Sequence, residues 1–282
     1  MTSPIAAGAR TLRDHGERLD RVLAYLAEHL DADVDLERLS AIACFSPFHF
    51  HRVYRALQGE TVAETVRRMR LHRAAVELLD DARPIGRIAT RAGYGSQAAF
   101  TRAFRSAYGA PPAAYRTSAA AEGTGPYEVG VGTMPALRVA ALRHLGDFVG
   151  IGPTFDRLNA LAVSRGLVGP STRYFGLFYD DPEGTPVEAL RSDACLTVPD
   201  DFAGDGELRA ATIAGGTYGV VLHVGPYAEL HRAYEWLYRE WLLGGGHEPG
   251  DGPCVEEYLN DPRSTPAPLL KTEVWLPVVE GR

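Results

Sequence analysis

The stretch "SPFHFHRVYR", residues 46–55, returns fifty residues later as "SQAAFTRAFR", residues 96–105. In the first copy Ser46 stands where a helix needs an N-cap, since its side-chain oxygen can satisfy a free N–H of the first turn. Pro47 suits the first helical position of the first copy. From there Phe50, Val53, Tyr54 and Leu57 fall at the spacing of a core-facing helix stripe. Another face of the same helix carries Phe48, His51, Arg52 and Arg55. On a lone helix that face would read as solvated surface with one stray aromatic. The repeat changes this reading, because it lays Arg52 on Arg102, Arg55 on Arg105, Phe50 on Phe100 and Gly59 on Gly109. The second outward stripe is Ala98, Thr101, Arg102 and Arg105, with Gln97 at the helix start. Arginines kept at matching outward positions are hard to explain by packing alone.

Working outward, "DLERLSAIA" (35–43) precedes the first copy, with Asp35 as its cap, and "PIGRIATRAGYG" (84–95) precedes the second. Helix, tight turn and helix make a helix-turn-helix unit, here present twice. Leu19, Val22, Leu23, Leu26 and Leu30 predict an opening amphipathic helix. Between the units, "TVAETVRRMRLHRAAVELL" (61–79) has no Gly or Pro and predicts one continuous helix, roughly 28 Å long. Successive major-groove faces of B-DNA lie ~34 Å apart. Two reading helices on such a strut let one chain address neighbouring grooves without dimerising.

Charge supports the division. The chain of 282 residues carries a net −7, but residues 1–116 hold seventeen Arg against thirteen acidic residues, and the remainder holds twelve basic against twenty-three acidic. The basic half contains no lysine, and arginine is the side chain fitted to bidentate phosphate and guanine contacts. Such asymmetry suggests one half that meets a polyanion and another with a different task. With 45% apolar and 23% charged residues and no long apolar run, a soluble, non-membrane protein is expected. Cys44, Cys195 and Cys254 form no CxxC pair, so a reduced, cytoplasmic chain without disulfides or zinc is expected. His49 and His51 point about 200° apart on a helix, so they and His72 predict no metal site, and no cofactor is expected.

"TSAAAEGTGPYE" (117–128) is small, Gly-bearing and broken by Pro126. It predicts a linker at 119–126 between a domain at 1–118 and another at 127–282. Beyond it a second duplication appears. "ALRHLGDFVGIGPTFDRL" (141–158) parallels "VVLHVGPYAELHRAYEWL" (220–237), and "LFYDDPEGTPVEALRSDACLTVP" (177–199) parallels "EYLNDPRSTPAPLLKTEVWLP" (257–277). Each copy reads strand, helix, then a hairpin with an Asp-Pro turn. The expected fold is therefore an all-α double helix-turn-helix domain followed by an α+β domain of two βαββ repeats, paired about a pseudo-twofold axis with the helices on one side. Alternation in "CVEEYLND" puts Cys254, Glu256, Tyr258 and Asn260 on one strand face. Glu256 has Gly176 as its equivalent in the first copy. It reads equally well as a solvated edge residue or as a carboxylate facing the seam. His144 and His223, on the repeated strands, read as hydrogen-bonded structural residues.

The N-terminal half, about residues 18–116, resembles the DNA-binding domain of AraC/XylS-type transcription regulators, through "FSPFHFHRVYRALQGETVAETVRRMRLHRA" and "IATRAGYGSQAAFTRAFRSAYGAPPAAYR". The resemblance implies base-edge contacts from Phe48, His51 and Arg52 in the first reader, and from Gln97, Ala98, Thr101 and Arg102 in the second. Ser46, Arg55, Ser96 and Arg105 would be phosphate anchors, which position without specifying. Residues of about 127–280 resemble the GyrI-like effector-binding domain, through "HVGPYAEL", "GLFYDDP", "EEYLNDP" and "TEVWLPV". That resemblance implies Glu256 facing an aromatic pocket and meeting cationic ligands, with Tyr179, Tyr227, Trp241 and Tyr258 expected as walls. Trp241 also continues the helical stripe of Leu230, Tyr234 and Leu237, which gives it a competing core role. Together the resemblances imply a one-component transcription regulator, with promoter DNA and a lipophilic small molecule, cationic ones among the candidates, as partners and RNA polymerase as a further candidate. Two other readings stay open: a Glu256/Tyr258 hydrolase of reactive small molecules, and an acidic domain that grips a basic protein surface.

Overall fold

The computed structural model describes residues 4–79, 83–120, 127–244 and 247–280. The N-terminal half contains α1 (Pro4–Glu28), α2 (Leu36–Ile42), α3 (Pro47–Gln58), α4 (Val62–Leu78), α5 (Ile85–Arg91), α6 (Gln97–Tyr108) and α7 (Pro112–Ala120). Local sequence accounts for most of these boundaries. Asp35 caps α2 by accepting the Glu37 and Arg38 amides. Ser46 and Ser96, both extended, cap α3 and α6 by accepting the amides of His49 and Ala99. A cap of this kind is worth ~1 kcal/mol. Both helices stop at a glycine in the left-handed region, Gly59 (φ 76°) and Gly109 (φ 75°), where a side chain would be strained. Thr61 and Glu64 form a reciprocal capping box that opens α4. The helix-turn-helix turns differ: Gly93 supplies the left-handed residue in the second unit, whereas Cys44 takes φ 53° in the first.

The expectation for the opening helix covered Leu19 to Leu30, yet α1 begins at Pro4. Its extra turns contain Ala, Leu and Arg, all strong helix formers. They run beside the C-terminal half, a contact that a local pattern does not reveal.

The C-terminal half contains β1 (Val129–Met134), β2 (Leu137–Leu145), α8 (Gly152–Ser164), β3 (Tyr174–Phe178), β4 (Arg191–Thr197), β5 (Arg209–Ile213), β6 (Gly216–Val224), α9 (His231–Glu235), β7 (His247–Pro249), β8 (Cys254–Tyr258) and β9 (Lys271–Glu280). A π-helical stretch, Trp236–Leu242, continues α9. The strands form an antiparallel sheet in the order β1-β6-β9-β8-β3-β4-β2-β5, and β7 extends it at the end of β9. β2–α8–β3–β4 and β6–α9–β8–β9 are the two βαββ repeats, joined where β3 meets β8. Gly176 and Glu256 are equivalent positions of the repeat and also direct cross-strand partners, so the pseudo-twofold axis passes between them. The helices pack on one face, with Leu158 and Leu237 set against Leu142, Leu196 and Leu276 of the strands. The other face carries Phe175, Leu177, Cys195 and Val255.

The halves are docked. Ala160 of α8 lies in the same apolar core as Leu23, Phe50 and Tyr54 of the first unit. Ala228 lies in the core of the second unit with Phe100, Phe104 and Tyr115. Of the expected linker 119–126, residues 119 and 120 end α7, and 121–126 lie outside the described residues. Among the described residues no helix is long and apolar enough to cross a membrane.

Candidate functional site

The structure carries two candidate sites, one in each half. On the helical half, the outward faces of α3 and α6 are open. Ser46, Phe48, His51, Arg52, Arg55, Ser96, Gln97, Ala98, Arg102 and Arg105 are exposed, while Thr101 is half-buried. Phe48 is 64% exposed, a large apolar ring left in water, with the Arg52 guanidinium 4.4 Å from its centroid. No salt bridge among the described residues uses Arg52, Arg55, Arg102 or Arg105. Other arginines of this half have structural duties. Arg70 donates to the carbonyls of Leu30 and Ala32, Arg73 pairs with Asp31, and Arg91 pairs with Glu77. Only tertiary structure separates these two groups, because both count equally in a tally of charge.

At the seam of the other half, Glu256 projects from β8 toward the helices and is 4% exposed. Tyr234 of α9 donates to one carboxylate oxygen at 2.8 Å, and Tyr258 donates to the other at 2.7 Å. Burial pushes the Glu256 carboxyl up to about 7, against the pull of these two hydrogen bonds. Tyr234 and Tyr258 are themselves driven far above the usual phenol range by burial and by the adjacent carboxylate. The Tyr258 ring stands edge-on between Phe155 of α8, at 5.0 Å, and Tyr227, at 5.3 Å. Gly176 makes this possible: a Cβ there would lie 2.9 Å from the Tyr258 hydroxyl and against the Phe178 ring. Among the described residues the carboxylate is thus bonded by neutral hydroxyls, and one of the two, Tyr258, is wedged between the rings of Phe155 and Tyr227.

Of the expected pocket walls, Tyr258 bonds Glu256 and Tyr227 packs against Tyr258, while two others lie elsewhere. Tyr179 lies on the opposite face of the sheet, where its hydroxyl donates to Asp193 at 2.7 Å and the Arg143 guanidinium sits 5.1 Å from its ring. The reason is strand alternation: with Gly176 facing Glu256, even-numbered positions of β3 face the helices and Tyr179 follows the odd ones. Trp241 lies over Gly219 of β6 and stacks on His247 at 4.9 Å. It sits two helical turns beyond Tyr234, ~10 Å farther along the axis, and so passes the seam. Tyr234, expected only in the core stripe, and Phe155, not singled out at all, complete the site. The same alternation that aligned Gly176 with Glu256 already argued against Tyr179; nothing local pointed to Phe155. His223 Nδ1 is 2.9 Å from the Tyr127 hydroxyl, and His144 Nδ1 is 3.2 Å from that of Thr154.

A domain with a twofold-related sheet and a buried carboxylate at its seam, behind a double helix-turn-helix, finds a direct match among known families. Residues 127–279 match the GyrI-like small molecule binding domain, and residues 39–118 match a helix-turn-helix domain of AraC type. The first match spans more than half of the chain, which belongs to the GyrI-like family. The chain joins a DNA-binding domain to an effector-binding domain, the composition of a DNA-binding regulator that senses a small molecule. The DNA gyrase inhibitor of Edwardsiella piscicida is 34% identical over 157 residues, 54% of this chain and 97% of that one. The transcriptional regulator Rob of Salmonella typhimurium is 37% identical over 97 residues, about a third of either chain. A solved EcmrR–DNA complex aligns over 92% of this chain and 94% of that one, with 21% identity and a TM-score of 0.47.

Proposed function

We propose that the chain is a cytoplasmic one-component transcription regulator in which α3 and α6 bind promoter DNA and Glu256 takes the positive charge of a lipophilic small molecule. The observation that carries this reading is a carboxylate 4% exposed and held, among the described residues, by two tyrosine hydroxyls alone. Burial disfavours its charged form, and a bound cation would reverse that penalty. The faces of Phe155, Tyr227 and Tyr258 would add cation–π attraction of ~0.5–2 kcal/mol each. On the DNA side, Phe48, His51 and Arg52 read bases through α3, and Gln97, Ala98, Thr101 and Arg102 read them through α6. Arg55, Arg105 and the capping serines Ser46 and Ser96 hold phosphates, with RNA polymerase as the further partner.

The chain is a sensor in this reading and not an enzyme. Tyr258, the candidate acid of a hydrolase, already spends its hydroxyl on a hydrogen bond to Glu256, and burial and that carboxylate make it hold its proton more tightly than a free phenol. The test follows tryptophan fluorescence with a panel of lipophilic cations, esters among them, and neutral analogues, then recovers the compounds for mass spectrometry. Intact ligand, with binding weakened at least about tenfold in Glu256→Gln, is the expected result. Hydrolysed ester would overturn the sensor reading in favour of catalysis.

A further inference from the structure

Each helix-turn-helix unit is mounted on a different repeat of the effector domain. The first unit rests on α8. Besides the shared core at Ala160, Asn159 donates its amide to the Leu57 carbonyl at 3.2 Å, and Gln58 donates to the Asp156 carbonyl at 3.0 Å. Both contacts grip the last turn of α3. The second unit rests on the 3-10 turn Tyr227–Glu229 of the other repeat, through Ala228, with Ala267 packed alongside.

The rings that wedge Tyr258, the partner of Glu256, belong to these same two mounts. Phe155 is the residue before Asp156, and Tyr227 is the residue before Ala228. Asp156, 2% exposed, accepts Arg68 of α4 at 2.8 Å and Arg263 of the loop after β8 at 3.1 Å. From Arg68 the polar chain continues through Glu60 and Thr65 to the Tyr54 hydroxyl of α3, with the last two links at 2.8 and 2.7 Å. Asp156 Oδ2 and Arg263 Nε have no hydrogen-bond partner among the described residues. A buried network left partly unsatisfied is held less firmly than a complete one.

We propose that α8 and the Tyr227–Glu229 turn couple the effector site to the readers: a cation at Glu256 forces Phe155 and Tyr227 apart, moves the mounts and loosens the grip of α8 on α3. This rests on the cation-sensing reading above. In the docked arrangement both oxygens of Glu256 are taken, the residue is 4% exposed and its partner Tyr258 is wedged between Phe155 and Tyr227, so a ligand must bind an arrangement in which at least one of these has moved. That difference between the two arrangements is what lets a ligand shift their populations. By linkage, whatever loosens the docked readers must tighten the ligand, and the ligand must change DNA affinity by the same factor with which DNA changes ligand affinity. The strut α4 is continuous between the units, so loosening passes through the Asp156–Arg68 contact and not through a hinge in the helix.

The test uses the full chain and tetraphenylphosphonium as probe, with triphenylphosphine oxide as neutral control. Asp20 of α1 pairs with Arg157 on α8, with Nε–Oδ1 at 2.7 Å, and touches no residue of the Glu256 site. Asp20→Ala is expected to tighten probe binding at least about threefold by raising the share of binding-competent chain. In the wild type, hydrogen exchange of residues 54–58 is expected to speed up when the probe is added, a readout that needs no variant to fold. Probe binding that depends on Glu256 but is no tighter in Asp20→Ala, or that leaves exchange in α3 unchanged, overturns the coupling and leaves the sensor reading standing. Probe binding indifferent to Glu256→Gln sinks the sensor reading, and the coupling with it.

Discussion

Raising the pH from about 6 to about 8 is expected to tighten cation binding about tenfold through Glu256 alone. In the empty chain this carboxyl titrates near about 7 because burial disfavours its charge. Its folded value lies above its ordinary one, so between about pH 4.5 and about pH 7 the folded chain keeps a proton that the unfolded chain has released. The contribution of this group to stability is therefore full below that window and is lost as pH rises through it, by about 3 kcal/mol in all. A cation that needs the carboxylate has the opposite preference. At about pH 6 only about a tenth of the chains are ionised, so apparent affinity is about tenfold below its plateau, and it is about twofold below at pH 7. Calorimetry with tetraphenylphosphonium in two buffers of different ionisation enthalpy reads both quantities. At the low-pH end, binding is expected to release close to one proton per ligand, and Glu256→Gln should flatten the profile. Affinity independent of pH across this range in the wild type, while still lost in Glu256→Gln, would refute the reasoning, because the carboxylate would then be ionised before the ligand arrives.

Arg102→Ala is expected to cost ~1–3 kcal/mol on a selected operator and to relax preference at one base pair, measured by competition binding; an equal loss on all duplexes would make it a phosphate contact. Cys44→Gly should stabilise the chain by about 1 kcal/mol, read as a rise in the urea midpoint, because Cys44 holds φ 53° in a turn where the other unit uses Gly93. No gain would mean that the Cys44 side chain contributes packing of comparable size. Gly176→Ala puts a methyl group against the Tyr258 hydroxyl and the Phe178 ring; the added carbon should destabilise by ~1–3 kcal/mol in thermal melts and disturb probe binding, whereas a silent substitution would mean that Tyr258 is free to move.

The sequence by itself determined the two duplications, the helix starts set by Asp35 and Ser46, and the alternation that points Glu256 and Tyr258 the same way. These are local: a cap or a two-residue period acts within one turn or one strand, so its signal is written in neighbouring residues. Which arginines are tied up by acids was not legible, because Arg91 and Arg102 differ only in whether a distant acid reaches them. The pocket was half legible. Tyr227 and Tyr258 lie beside the repeat motifs, but Tyr234 reaches Glu256, and Phe155 reaches Tyr258, only because α9 and α8 cross the seam. Trp241 misses it because the same helix has by then moved on. Tertiary structure alone decided that each reader sits on its own repeat of the effector domain. That docking depends on shape and on long-range pairs such as Asp20–Arg157 and Arg68–Asp156, whose partners lie far apart in the chain and leave no periodic trace in it.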